Sequence, residues 1–138
     1  MTKIFLDTNI LLDFIADRKP YSKYAVAIFA KAGEHKIKLY TSSHSIATSH
    51  YVLKKFFDEK ELRHLLADLL DYVHVIPIEK ETLKKGLRSV HRDFEDALQI
   101  ISAQSVDKME YIVTRNLKDF RTAEIPVVAP EEMIKELE

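Results

Sequence analysis

Short apolar runs alternate with segments of helical period along the whole chain, and this alternation leaves few folds open. The first run, Ile4-Phe5-Leu6, stops at Asp7, and a helical pattern begins at once. A strand is predicted over Lys3–Asp7, then a helix with Ile10, Leu11, Phe14 and Ile15 on one face. Arg18-Lys19-Pro20 breaks that helix. A second helix starts near Ser22, with Ala25, Val26, Phe29 and Ala32 on its stripe and Gly33 at its C′ position. Ile37–Thr41 is a short strand. Ser42 or Ser43 can cap a third helix carrying Ile46, Leu53 and Phe57. Leu62, Leu65, Leu66, Leu69 and Leu70 form the stripe of a fourth. Val73–Ile78 is a strand, and Thr82–Val90 a helix weakened by Gly86. Phe94–Val106 is a helix with Ala97, Leu98, Ile101 and Ser105 at three and four spacing. Tyr111–Thr114 and Ile125–Val128 are strands, and Pro130 suits the first turn of a terminal helix. Such a succession predicts an α/β fold: a parallel sheet covered by helices on both faces.

Composition narrows the function classes. At 138 residues a single domain, 1–138, is expected. A chain of this size buries roughly 68–70% of its unfolded surface. Cysteine is absent, which removes disulfides and thiolate metal sites and suits a reducing, cytoplasmic setting. No basic start leads into a long apolar run, so no signal peptide is expected. No apolar stretch approaches the ~20 residues that span a bilayer, so no membrane partner is expected. Net charge is -1, without the basic footprint of a stable nucleic-acid binder. An enzyme that holds its substrate briefly and through metal ions remains open. Only two glycines occur, Gly33 and Gly86, too few for a P-loop or a GxGxxG turn.

Four places carry chemistry, and each also has a plain structural explanation. Asp7 either caps the helix after strand one or opens an acidic site. Asp93-Phe94-Glu95-Asp96 opens a helix, where acids suit the dipole and Asp93 suits the cap. Asn116, after the apolar Tyr111-Ile112-Val113 run, is a turn residue or a ligand. Asp119 is a surface acid in a one-turn helix or a further member of the site. Ligand sites in open α/β sheets lie outside the carboxyl ends of the strands, so these acids would converge. Two carboxylates about 4 Å apart repel by roughly 4 kcal/mol at an effective dielectric of 20. A cluster therefore calls for a cation, a shared proton or an arginine. Oxygen donors without cysteine point to a hard ion, Mg²⁺ or Mn²⁺. Such an ion can activate a water and neutralise a phosphodiester.

Phe5-Leu6-Asp7-Thr8-Asn9, Asp93-Phe94-Glu95-Asp96-Ala97 and Ile112-Val113-Thr114-Arg115-Asn116-Leu117-Lys118-Asp119-Phe120 resemble, in that order, the PIN domain family. Within it they resemble the bacterial branch near VapC-type toxins, as does Pro126-Val127-Val128-Ala129-Pro130-Glu131-Glu132. The resemblance runs from about Lys3 to Ile134. It implies a three-layer α/β/α fold with a central, mostly parallel sheet. It also implies a metal-dependent endoribonuclease acting on RNA, a homodimer, and an antitoxin protein as partner. Carried over by position, Asp7 and Asp96 look like principal Mg²⁺ or Mn²⁺ ligands, with Asp119 and Asn116 as further catalytic residues. Thr8, Asn9 and Thr114 look like supporting groups. The family's second acid falls at Thr48, within Ser45-Ile46-Ala47-Thr48-Ser49-His50-Tyr51, so a neutral hydroxyl stands there. Asp93, one helical turn before Asp96, is the preferred substitute over Glu95.

Of the six histidines, His44 and His50 lie in the segment lacking that acid and could serve as ligand, base or cap. Lys84, Lys85, Arg88, His91 and Arg92 form a basic stretch that could steer RNA or be a solvated helix face. Arg115 and Lys118 are candidates for substrate phosphate, and Arg115 could instead neutralise the acids. The leucine stripe, Phe29, Phe56 and Phe57 read as core, with a share at a protein interface. The favoured reading is a ribonuclease toxin. The alternative is a degenerate, non-catalytic RNA-binding or protein-interaction module. A phosphoryl-acceptor receiver domain is a distant third, because it needs paired acids after strand one.

Overall fold

Alternate side chains of the first strand enter different halves of the core. In β1 (Thr2–Leu6), Ile4 and Leu6 belong to one buried cluster and Phe5 to another. A strand covered on both faces has this pattern. The computed structural model describes all residues from Met1 to Glu138. After β1 come α1 (Thr8–Ile15), α2 (Ser22–Gly33), β2 (Ile37–Ser42), α3 (Ser43–Leu53), α4 (Glu59–Leu69) and β3 (Val73–Ile76). Then follow α5 (Lys80–Arg88), α6 (Phe94–Gln104), β4 (Met109–Val113), a 3₁₀ turn (Leu117–Phe120), β5 (Val127–Val128) and α7 (Pro130–Leu137). The sheet order is β3-β2-β1-β4-β5, and every neighbouring pair is parallel. The expected three-layer α/β/α architecture is therefore present, with a wholly parallel sheet.

The larger cluster holds Ile10 and Leu11 of α1, Ile28 and Phe29 of α2, Leu62 and Leu66 of α4, and Met133 of α7. The smaller one holds Phe5, Ile112, Phe120 and, from α6, Ile100 and Ala103. The direction in which successive strands are added reverses between β1 and β4. The strands from β1 to β3 extend one way and β4 to β5 the other. That switch point opens a crevice at the carboxyl ends of β1 and β4.

Several local expectations shift, each for a packing reason. Val26 is 50% exposed, and Ile28 takes its place in the stripe of α2. Gly33 stays inside α2, and His35 adopts the left-handed conformation at φ 60°. The Lys36 amide then reaches the Lys31 carbonyl at 3.1 Å, which closes the helix end. Phe57 lies beyond the end of α3 but still packs on the larger core, whereas Phe56 is exposed. Leu70 caps α4 and is exposed. In α6, Ile100, Ser102 and Ala103 are buried in place of the expected Ser105. No helix is long and apolar enough to cross a membrane.

Gly86 is a contact rather than a weakness. A Cβ there would lie 3.0 Å from Leu98 and 3.2 Å from Phe94. The missing side chain lets α5 lie close against α6. This in turn fixes the helix that carries Asp96.

Candidate functional site

Asp7 occupies the N-cap position of α1, yet its carboxylate makes no capping bond. Its amide continues the sheet ladder to Val113 at 3.0 Å. The side chain turns across the switch point. Oδ2 accepts from Thr114 Oγ1 at 2.7 Å, and Oδ1 accepts from Gln99 Nε2 at 3.0 Å. The residue is 3% exposed. Burial pushes its carboxyl above the usual range, while Thr114, Gln99 and the amides of Thr8 and Asn9 pull the other way.

Gln99 is the hub that sequence reasoning missed. Its Oε1 accepts from the Thr8 amide at 3.1 Å, and from Thr8 Oγ1 and Ser45 Oγ at 3.4 Å each. Ser45 also receives Thr8 Oγ1 at 3.0 Å and shares a bond with the capping Ser42 at 3.0 Å. Ser42, Ser45, Gln99 and Thr114 are all buried. The one available signal was the position of Gln99, three residues after Asp96, which places both on one face of α6.

Asp96 stands in the first turn of α6, half-buried. Its amide donates to Asp93 Oδ1 at 2.9 Å, so Asp93 is the helix cap as well as a neighbouring charge. Burial first, then the charges of Asp93, Asp7, Asp119 and Glu95, push the Asp96 carboxyl up to about 7. Of the expected acids, Asp93, Asp96 and Asp119 line one cleft, and the charge of Asp7 also reaches Asp96. Asn116 follows β4, and its amide donates to Thr114 Oγ1 at 3.0 Å. An entirely polar cleft beside them is lined by Arg92, Asp93, Asp96, Lys118, Asp119, Arg121 and Thr122.

Two expected members have other partners. Thr48 lies outside the Asp7 network; its Oγ1 meets His44 Nε2 at 3.3 Å, and that nitrogen lies 3.4 Å from Glu95. Ser45, one turn earlier, is the α3 residue that reaches Thr8 and Gln99. Arg115 neither neutralises the acid cluster nor lines the cleft. Its fork grips the buried Asp13, with Nε to Oδ2 at 2.7 Å and Nη2 to Oδ1 at 3.1 Å. The guanidinium also stacks over Tyr21 at 3.9 Å. Of the other candidates, His50 pairs with Glu59 at 2.8 Å, away from these acids in the chain's contacts.

No three His, Asp or Glu side chains converge as a ready-made metal cage. The donor set still suits a hard divalent cation. Asp7, Asp93, Asp96 and Asp119 have no ion pair to balance them. Asp96 carries the electrostatic mark of that imbalance. Mg²⁺ keeps several waters, so one or two carboxylates can hold it. Asp7 and Asp96 could do so, with Asp93, Asp119 or Asn116 at the margin.

The profile of one family, described as "PIN domain", matches residues 3–118. Ribonuclease VapC1 from Aquifex aeolicus (strain VF5) is 29% identical over 135 residues, which are 94% of this chain and 92% of that protein. A toxin-antitoxin complex from Klebsiella pneumoniae contains a chain 28% identical, with a TM-score of 0.64 over 92% of this chain and 97% of that one. VapBC2 from Rickettsia felis, bound to a DNA fragment from its promoter, contains a chain with a TM-score of 0.64 over 93% of this chain and 98% of that one. At 17% identity, that last likeness speaks for the fold alone.

Proposed function

The chain belongs to the PIN domain family, and from that premise we propose that it is a metal-dependent ribonuclease, the toxin component of a toxin-antitoxin pair. One observation carries the reading. Asp7, buried at the carboxyl end of β1, is one of the charges that, with burial, push the cleft-lining Asp96 carboxyl up to about 7. The likeness to a VapC ribonuclease and to a toxin-antitoxin complex supports the substrate class and an antitoxin partner. A homodimer is part of the same proposal and is checked by light scattering.

Asp7 and Asp96 would hold Mg²⁺ or Mn²⁺. When bound, the ion would neutralise charge on a phosphodiester and lower the pKa of a water. The protein's own residues have separate tasks. Thr114 and Gln99 each occupy one oxygen of Asp7 and so fix the plane of its carboxylate. Asp93 anchors the first turn of α6 and so sets where Asp96 points. Asp119, in the 3₁₀ turn that Asn116 precedes, lines the cleft, and Lys118 would offer a cation to the substrate.

The test is cleavage of single-stranded RNA with Mg²⁺ or Mn²⁺ against an Asp7→Asn control. Metal-dependent cleavage lost in the control is expected; equal activity in both sinks the proposal. A second reading, a non-catalytic module, has one observation in its favour. Helix α3 offers only neutral hydroxyls, Ser45 and Thr48, where the family's acid falls. Stable RNA binding without cleavage in either metal would favour it.

A further inference from the structure

The cleft beside the acids carries as many cations as carboxylates. Arg92, Lys118 and Arg121 line it with Asp93, Asp96 and Asp119. All three cations are exposed, and none of them forms an ion pair. No direct ion pair therefore holds them to the carboxylates. The two lips of the cleft are also tied together. His91 Nδ1 and Thr122 Oγ1 share a hydrogen bond between segments 31 residues apart. That bond joins the loop before α6, which carries Arg92, to the segment after the 3₁₀ turn, which carries Arg121. One arginine is thus held on each lip of the cleft.

A polyanion meets repulsion at such a cluster of carboxylates. A metal ion offsets charge at one phosphate but not at its neighbours. A guanidinium remains charged and presents a planar fork that matches phosphate oxygens bidentately. We propose that Arg92 and Arg121 clamp the RNA phosphates on either side of the one to be cut, with Lys118 as a third contact. The clamp lays the strand across Asp96. It rests on the ribonuclease reading above. Lys84 and Lys85, on α5, do not line the cleft and serve as an internal control.

Binding of a fluorescent decauridylate is measured by anisotropy across a salt series, with EDTA present so that the strand stays whole. Each phosphate contact on a single strand contributes about 0.7 to the slope of log K against log salt. The Arg92→Gln/Arg121→Gln double variant is expected to bind roughly tenfold weaker or worse, with a slope shallower by about 1.4. Lys84→Gln/Lys85→Gln is expected to keep the wild-type slope. Equal slopes for the wild type and the arginine double variant overturn the clamp. If the wild type then still cuts RNA with Mn²⁺, the ribonuclease reading stands without it. A wild type that neither binds nor cuts RNA overturns both.

Discussion

Asp7 and Asp93 hold the same backbone position, the residue before a helix, and use their carboxylates differently. Asp93 caps α6 through the Asp96 amide, whereas Asp7 leaves α1 uncapped and turns to Thr114 and Gln99. An uncapped start costs about 1 kcal/mol, and the buried carboxylate recovers charge-assisted bonds of about 1.5–3 kcal/mol each. The raised Asp96 carboxyl has a consequence for pH. Its folded value of about 7 lies above the ordinary 3.8, so between the two the folded protein keeps a proton that the unfolded chain has lost. Stability should then fall as pH rises from about 4 to about 7 and level off beyond. Asp7 is shifted in the same direction. Melting of the metal-free protein across pH 5–8 should show this fall, flattened in Asp96→Asn and reduced by Mn²⁺; a fall unchanged in the variant would refute the assignment. Arg115 makes a second residue-scale prediction. Arg115→Ala removes the fork from Asp13, which is 1% exposed and keeps only Arg18 at 3.9 Å, and should cost on the order of 3 kcal/mol in urea unfolding. Arg115→Lys should lose less, because charge survives while the fork and the Tyr21 stacking do not.

Among the elements, α6 joins the core to the site. Ala97, Leu98, Ile100 and Ala103 are buried in the core, while the buried Gln99 reaches Asp7 and Asp96 lines the cleft. Its placement depends on α5 through Gly86. In an open helix, Gly→Ala adds about 1 kcal/mol of stability. Here the added Cβ would stand 3.0 Å from the buried Leu98 and 3.2 Å from Phe94. Gly86→Ala is expected to lower the melting temperature instead of raising it, measured by circular dichroism. A rise would mean that α5 moves freely on α6. The sequence marked both helices, α5 two residues late at each end and α6 two residues too long at its C-terminus. It could not show that the glycine was a contact, because Leu98 and Phe94 belong to the next helix.

At the scale of the whole molecule, the sheet divides the interior into a large and a small core. The site borders the small one through α6, β4 and the 3₁₀ turn. Truncating a buried Leu or Ile to Ala costs about 2–5 kcal/mol in either core. The functional effects should differ. Leu66→Ala, on α4 in the large core, is expected to lower stability while leaving the Mn²⁺-induced rise in melting temperature intact. Ile100→Ala, beside Gln99 in the small core, is expected to lower stability and diminish that rise. Calorimetry with and without Mn²⁺ distinguishes the two, and equal metal responses would separate the small core from the site.

The layer order and the shared edge of the acids were determined by the sequence alone. Apolar runs that alternate with helical stripes specify parallel strands, and parallel strands bring their carboxyl ends, here Asp7 and Thr114, to one side. The continuous apolar run Ile4-Phe5-Leu6 also announced a strand buried on both faces. Only the tertiary structure decided which polar groups meet. Asp7 finds Gln99 and Thr114 at sequence separations of 92 and 107, and Arg115 finds Asp13 at a separation of 102. A local pattern records which face a side chain takes, not the partner it meets across the sheet. Ser45 rather than Thr48 joined the Asp7 network, and Arg115 left the acid cluster for Asp13, because distance after folding selects hydrogen-bond partners and order along the chain does not.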